Sequence, residues 1–447
     1  MRKLEKRAIL CMLLAACLFA GMVVYVVRFT TQGNDWATWY YNTHIFKNGH
    51  LATGNVYDVD GNLMAGNKKG KVVYYDDETT RRATAHAVGD ADGAVVTSAE
   101  TAFRDRLVGY NVVTGTYSVT GEGNDITLTI NKDVCLTAYN ALAGRNGCVG
   151  VYNYKTGEII CMVSTPSFDP KDPPSMKDAE SGTFMNKFLI STQTPGSIFK
   201  LVTAAAAIET YDKLGSWSYT CNGTQEINGE KITCTRAHGE VDFKGALASS
   251  CNCGFAMLTQ EIGARKMRRY TEAAGLKDCY DMDGVENAAG SFEFPSYAPL
   301  SLAWAGIGQW KDQVNPASML VYMSAIAQDG KGTVPCLIHR EYPAASHTGR
   351  MIESSTAKRL RRMMRYNVES EYGQGNFPDL KIYAKSGTAE VGEGEPTAWF
   401  TGFIKNKHYP YAFIVCVEHG GYGASTAGPI ANQVLQEIVA TPSAATD

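Results

Sequence analysis

Hydrophobic and polar positions divide the chain into three stretches. From Ala8 to Val27 nothing is charged, and Arg2, Lys3, Lys6 and Arg7 stand immediately before that run. As a helix, about 20 such residues reach ~30 Å, the thickness of a bilayer core. Basic residues on the N-terminal flank put that end in the cytoplasm and export the remainder. The run is long for a signal-peptide core and no A-x-A site follows. An uncleaved anchor over residues 8–28 is therefore expected in preference to a cleaved leader, with residues 1–7 as a cytoplasmic tail.

The second stretch, residues 29–125, is weakly patterned and reads as a short stalk. Trp36, Trp39, Tyr40 and Tyr41 suit an interfacial aromatic belt or a first juxtamembrane helix. Gly54 to Leu63 reads as strand, Asp60-Gly61 turn and second strand, and Lys71 to Tyr75 as another strand. Thr79 to Asp125 shows no clear period.

The third stretch, residues 126–447, is the main domain. Ile126 to Asn131 is β-rich, and Val134 to Leu142 has a helical pattern. Cys148 to Tyr154 and Glu158 to Ser164, joined by Lys155-Thr156-Gly157, form a hairpin. After the loop Pro166 to Pro174 the pattern turns mostly helical, with segments at Phe243 to Met257, Ala264 to Ala274 and Pro316 to Ala327. Strands return at Lys381 to Ala389, Ala398 to Ile404 and Tyr411 to Glu418, and the helix Pro429 to Val439 closes the chain. Neither the early hairpin nor the late strands make a stable sheet alone. Joined, they give about five antiparallel strands with a helical insert between them. The expected fold is α+β, its sheet built from both ends of the domain.

Composition changes this picture little. The net charge of -3 gives no footprint for nucleic acid. Of 12 cysteines, Cys11 and Cys17 fall in the apolar run, as filler in preference to lipidation sites. Cys148, Cys161, Cys336 and Cys416 sit among apolar residues and read as buried small side chains. Cys221 and Cys234 flank the polar segment Asn222 to Thr233, which reads as a hairpin. Outside the cytoplasm they are either a disulfide or two free thiols. No C-x-x-C with a matching histidine set is present, which argues against zinc.

The chemistry centres on Thr194-Pro195-Gly196-Ser197, which opens an Ala-rich run to Ile208. Lys200 stands three positions after Ser197, on the same helical face one turn away. Pro195 and Gly196 read as the turn entering the helix, which places Ser197 near its positive end. A hydroxyl becomes a useful nucleophile when a base takes its proton, and a lysine buried among apolar groups has a lowered pKa suited to that task. S-x-x-K alone is too common to carry this reading. Ser250-Cys251-Asn252 and Lys385-Ser386-Gly387-Thr388 follow, so the set S-x-x-K, S-D-N and K-T-G recurs in order, with Cys251 in the Asp place and Ser386 in the Thr place.

Each residue type has a task there. Ser250 can relay a proton between Lys200 and a leaving amine. Asn252 can donate to a substrate amide while its carbonyl holds Lys200. Lys385, Ser386 and Thr388 suit a substrate carboxylate, and Gly387 lets an acyl group approach the strand edge. The backbone N–H groups of Ser197 and Thr388 are the expected oxyanion hole.

With these motifs the chain resembles the class B penicillin-binding proteins over most of residues 50–440. The resemblance extends to Ile126-Thr127-Leu128-Thr129-Ile130, Val149 to Ile159, Pro166-Ser167-Phe168-Asp169-Pro170, His238-Gly239, Gly306-Ile307-Gly308-Gln309 and Ala398 to Phe403. Gln309 and Trp399 are either structural or groove-lining. The family stalk usually carries R-G-x-I-x-D-R-N-G. Here it reads Thr53-Gly54-Asn55-Val56-Tyr57-Asp58-Val59-Asp60-Gly61, without either arginine, so stalk contacts do not carry over. No glycosyltransferase-sized region precedes residue 126, which disfavours a bifunctional enzyme.

The resemblance implies a penicillin-binding transpeptidase fold with helices on both faces of the sheet. It implies a D,D-transpeptidase that needs no cofactor, acts on stem peptides ending in D-Ala-D-Ala, is acylated by β-lactams at Ser197, and works with a membrane glycosyltransferase. The competing readings are a β-lactamase or β-lactam sensor, a D,D-carboxypeptidase, and a non-catalytic scaffold of a cell-wall synthesis complex.

Overall fold

The computed structural model describes residues 2–37, 53–68, 71–110, 113, 123–211, 214–342, 344–392 and 394–441. The apolar N-terminus is one long helix, α1 (Arg2–Ala37), with a membrane-length apolar section at Leu4–Gly33. Trp36 lies in its last turn, whereas Trp39, Tyr40 and Tyr41 fall outside the described residues.

The expected strand–turn–strand is β1 (Val56–Tyr57) and β2 (Leu63–Lys68), followed by β3 (Lys71–Tyr74). The unpatterned region after it contains a helix, α2 (Glu78–Val88), started by Asp77, whose carboxylate accepts from Thr80 N–H. Its buried face is made mostly of alanines and threonines, which carry little periodic signal. β4 (Ile126–Thr127) pairs in parallel with β1 and completes a four-stranded N-terminal sheet. One hydrophobic core runs from Val56 through the last helix, so the N-terminal elements share the core of the main domain.

α3 (Lys132–Leu142) leads into the hairpin β5 (Gly147–Asn153) and β6 (Ile159–Thr165). In the insert, α4 (Lys200–Thr210) follows a short 3₁₀ turn at Gly196–Ile198. Next come β7 (Ser218–Cys221), the hairpin β8 (Thr224–Ile227) and β9 (Glu230–Thr233), and β10 (Gly239–Asp242). The segment expected as one helix over Phe243 to Met257 is two, α5 (Phe243–Ala248) and α6 (Asn252–Ile262). The break falls on Ser249-Ser250-Cys251, with Ser250 in the left-handed region at φ 56°.

α7 (Ala264–Ala273) and α8 (Pro316–Ala327) follow. All of α8 is buried, as an all-round apolar helix requires. α9 (Ser354–Asn367) was not legible because arginines and a lysine flank its narrow stripe of Leu360, Met363 and Met364.

β11 (Ile382–Ala389), β12 (Thr397–Ile404) and β13 (Tyr411–Val417) complete the main sheet, in the order β11-β12-β13-β5-β6 and antiparallel throughout. The strands from the two ends of the domain meet at β13 and β5. The closing helix α10 (Gly423–Ala440) begins six residues before Pro429, which sits inside it. Gly423 explains the earlier start: an added Cβ would lie 2.2 Å from Gly387 O, so only glycine lets the helix begin against β11. α3 and α10 pack on the sheet from one side and α8 from the other.

A buried ion pair ties α2 to the loop after β6. Arg81 donates to both Asp169 oxygens, at 2.8 and 2.7 Å, and also to the carbonyls of Tyr75 and Asp76. Removing one partner of a buried pair leaves an uncompensated charge, at a cost of about 3 kcal/mol. Arg81→Ala is therefore expected to lower the unfolding midpoint followed by tryptophan fluorescence. An unchanged midpoint contradicts the assigned role.

Candidate active site

Three elements converge on Lys200: the 3₁₀ turn before α4, the break between α5 and α6, and the edge strand β11. The turn needs Gly196. Its φ is 53°, and a Cβ there would lie 2.6 Å from Thr388 O. Trp399, fully buried on β12, donates its indole N–H to Thr194 O at 2.9 Å, and the N–H of Gly196 bonds to Gly308 O at 2.8 Å. Trp399 is thus a support for the serine turn.

Lys200 Nζ donates to Ser197 Oγ at 3.0 Å, Asn252 Oδ1 at 2.7 Å, Ser250 O at 2.6 Å and Ser250 Oγ at 3.2 Å. In a continuous helix the Ser250 carbonyl would be taken by the N–H four residues on. The left-handed turn at Ser250 releases it and aims both its oxygens at the amine. A non-glycine residue in that region carries a conformational cost of about 1–3 kcal/mol, borne here at a functional motif.

From the far side, Lys385 Nζ donates to the same Ser250 Oγ at 3.1 Å and to Ser386 O at 2.8 Å. One hydroxyl therefore bridges two buried amines. Burial pushes Lys200 down to about 8. Lys385 lies well below the usual lysine range, through burial first and the neighbouring Lys200 second. Burial in a dry site disfavours the charged form of both amines, and at Lys385 the neighbouring Lys200 adds to it.

The remaining expected residues follow on β11. The Ser386 hydroxyl and N–H meet the phenol of Tyr372, at 3.0 and 2.9 Å. Thr388 Oγ1 accepts from Gly423 N–H at 3.3 Å. The space at Gly387 is used by the chain itself, because a Cβ there would lie 2.9 Å from Pro195 O and 3.0 Å from Ile198 Cγ2. Its lack of a side chain admits the serine turn.

A cleft of about 600 Å³ opens over these groups, lined by Ser197, Ser250, Asn252, Ser386, Thr388 and Gln309 among others. Glu390 and Glu395 also line it.

Tyr372 was not foreseen. It ends a π-helical turn, Val368–Tyr372, after α9, and no motif spacing marks it. Its bonds fix the rotamer of Ser386. Tyr372→Phe is expected to cost about 1 kcal/mol, or roughly fivefold, in the second-order rate of acylation by a penicillin. An unchanged rate contradicts this positioning role.

The structure also gathers Cys221, Cys234, His238 and Cys251, whose ligand atoms all lie within 4.8 Å of one another. Cys221 and Cys234 are not bonded, their sulfurs standing 3.7 Å apart. The expectation against zinc rested on a missing C-x-x-C. The fold assembles the set instead from residues separated by 12, 3 and 12 intervening positions.

Residues 147–436 match the family model described as the penicillin binding protein transpeptidase domain. Stage V sporulation protein D of Bacillus subtilis is 26% identical over 356 residues, spanning 72% of this chain and 54% of that protein. Peptidoglycan D,D-transpeptidase PbpA of Mycolicibacterium smegmatis is 26% identical over 348 residues, spanning 68% and 70%. Among solved structures, penicillin-binding protein A from M. tuberculosis, as its ceftriaxone acyl-enzyme complex, superposes with a TM-score of 0.76 at 22% identity, covering 88% of this chain and 99% of that one. That likeness speaks for a shared fold.

Proposed function

The chain belongs to the penicillin-binding-protein transpeptidase family, as a class B member, and from that premise we propose that it cross-links peptidoglycan stem peptides through an acyl-enzyme on Ser197. The observation that carries this reading is the placement of Lys200 Nζ, buried and within 3.2 Å of Ser197 Oγ, Ser250 Oγ and Asn252 Oδ1. A neutral amine there is a base for one hydroxyl and is wired to a second that can carry the proton onward.

Ser197 Oγ attacks the carbonyl carbon of the D-Ala–D-Ala bond, and its proton passes to Lys200. The C–N bond breaks, and the terminal D-Ala leaves with a proton delivered through the Ser250 hydroxyl. The amine of a neighbouring stem then attacks the Ser197 ester and gives a proton, through the Ser250 hydroxyl, to the neutral Lys200; the ester C–O bond breaks as the amide forms, and Ser197 Oγ takes that proton from Lys200. The N–H groups of Ser197 and Thr388 hold the oxyanion in both halves. Asn252 Nδ2 gives one proton to Thr233 O and offers the other to the substrate amide carbonyl. Lys385, Ser386 and Thr388 take the terminal carboxylate, which restores full charge to Lys385. Gly387 contributes its backbone to the strand edge along which the peptide lies. A β-lactam carbonyl follows the first half and stays on Ser197.

The membrane-length apolar section of α1 supports an anchor over residues 8–28; to it the reading adds residues 1–7 as a cytoplasmic tail, a stalk at residues 29–125 and a transpeptidase domain at residues 126–447 outside the cell membrane. A membrane glycosyltransferase that supplies glycan strands is the partner this arrangement suits.

The test is a donor peptide ending in D-Ala-D-Ala, offered with an amine acceptor. Release of D-Ala together with an acceptor-linked product is expected. Hydrolysis alone indicates a carboxypeptidase, and fast loss of a penicillin adduct indicates a β-lactamase. A folded chain that neither turns over donor nor forms the adduct indicates a scaffold.

A further inference from the structure

Four side chains from four separate places in the insert bring their ligand atoms together. Cys221 closes β7, Cys234 follows β9, His238 precedes β10, and Cys251 stands at the start of α6. The Sγ atoms of Cys221 and Cys234 are 3.7 Å apart, those of Cys234 and Cys251 3.9 Å, and His238 Nδ1 lies 3.4 Å from Cys221 Sγ. Bonded sulfurs stand about 2.05 Å apart. Sulfurs on a tetrahedral zinc, at Zn–S of about 2.3 Å, stand about 3.8 Å apart along each edge. The cluster has the second spacing.

Its surroundings suit thiolates. Cys234 Sγ accepts the N–H groups of Asn252 and Cys253, at 3.1 and 3.3 Å, and Cys251 Sγ accepts that of Gly254 at 3.3 Å. A neutral thiol is a weak acceptor, and backbone N–H groups turned on sulfur favour its anion. Thiolate and imidazole together select zinc over the hard cations. Cys253, 3.5 Å from Cys234, points its sulfur at Ile232 O and is a spare thiol.

We propose that Cys221, Cys234, His238 and Cys251 bind one zinc ion in a closed site that fastens the Ser250–Asn252 motif in place. On binding, each coordinating thiol gives its proton to solvent. Four protein ligands leave no open position, so the ion takes no substrate. Its role is mechanical. Cys251 lies between Ser250 and Asn252, and Asn252 Nδ2 donates to Thr233 O at 2.8 Å, one residue before Cys234. The β8–β9 hairpin is largely exposed, with Ile227 and Ile232 as its buried side chains. A metal that joins it to β7, His238 and α6 supplies the rigidity that its small apolar contact does not. Metal binding stands apart from the acyl-transfer reading, and only the predicted effect on acylation rests on it.

The test uses the full-length chain purified in detergent. Elemental analysis is expected to find one zinc per chain, and cobalt substituted for it to show the absorption bands of a tetrahedral thiolate site. Cys234→Ser and His238→Ala should each lose the metal, whereas Cys279→Ser, at an exposed cysteine outside the cluster, should keep it. Should the first two variants fail to fold, the cobalt spectrum of the wild-type chain still decides. Chelation is expected to slow acylation by a fluorescent penicillin about 10-fold to 100-fold, because a small misplacement of a positioned group is costly, and added zinc should restore it. A folded chain without metal, its cluster cysteines disulfide-bonded or freely alkylated, overturns the site. Bound zinc whose removal leaves acylation unchanged overturns the fastening role. A chain that binds zinc through these residues but never reacts with penicillin leaves the site standing and removes the acyl-transfer reading.

Discussion

Ser197→Ala is expected to reduce D-Ala release from a donor peptide by about 10⁴-fold or more, since loss of a nucleophile removes the covalent path altogether. The variant should fold normally. Ser197 is half-buried in a 3₁₀ turn held by Gly196, Trp399 and Gly308, and the hydroxyl serves only as a partner of Lys200. Thermal unfolding should therefore differ little from wild type while turnover disappears. Residual turnover within tenfold of wild type would show that another group attacks the peptide. Ser250 is the alternative nucleophile to watch, because both lysines reach its hydroxyl.

Lys200→Met is expected to slow acylation by about 10²-fold to 10⁴-fold, the range over which a positioned base contributes. Methionine keeps the length and apolar stem of the side chain and removes the amine. Two half-buried acceptors, Ser250 O and Asn252 Oδ1, lose their donor, so some loss of stability accompanies the loss of rate. The pH profile separates the two effects. With Lys200 near 8, its neutral form grows as pH rises through that value, so the wild-type acylation rate should climb from pH 6.5 to 9 and level off. Lys200→Met should lose that climb. A variant that keeps the same rise shows that the titrating base lies elsewhere.

The main sheet was legible because its strands announce themselves. Lys155-Thr156-Gly157 joins two apolar runs of matched length, and β11 to β13 are apolar stretches bounded by turn residues. Their assembly from opposite ends of the domain followed from the need for more than two or three strands. The S-x-x-K pair was legible through helical spacing, and the full site only through three motifs taken together.

What stayed hidden depended on the third dimension. Ser249-Ser250-Cys251 contains no glycine or proline, so nothing in it announces a broken helix. The break is stabilised by Lys200, which is distant in sequence. The need for glycine at 387 comes in part from Pro195 and Ile198, which lie far from it in sequence. Tyr372 acts through a π-turn that periodicity does not reveal. In the sequence Cys221 and Cys234 stand as a possible pair and Cys251 as the middle residue of a motif, with nothing to join the three. Only the folding of the β8–β9 hairpin and of the antiparallel pair β7 and β10 against α6 shows that they and His238 share a centre.

Every role assigned to the site depends on Ser197 being the acylated residue. The most direct measurement is peptide mapping by mass spectrometry of the full-length chain after brief exposure to benzylpenicillin. One penicilloyl group per chain is expected, carried on Ser197 within the peptide that contains Thr194 to Lys200. A penicilloyl group on any other residue, or a folded chain that gains no mass, would contradict it.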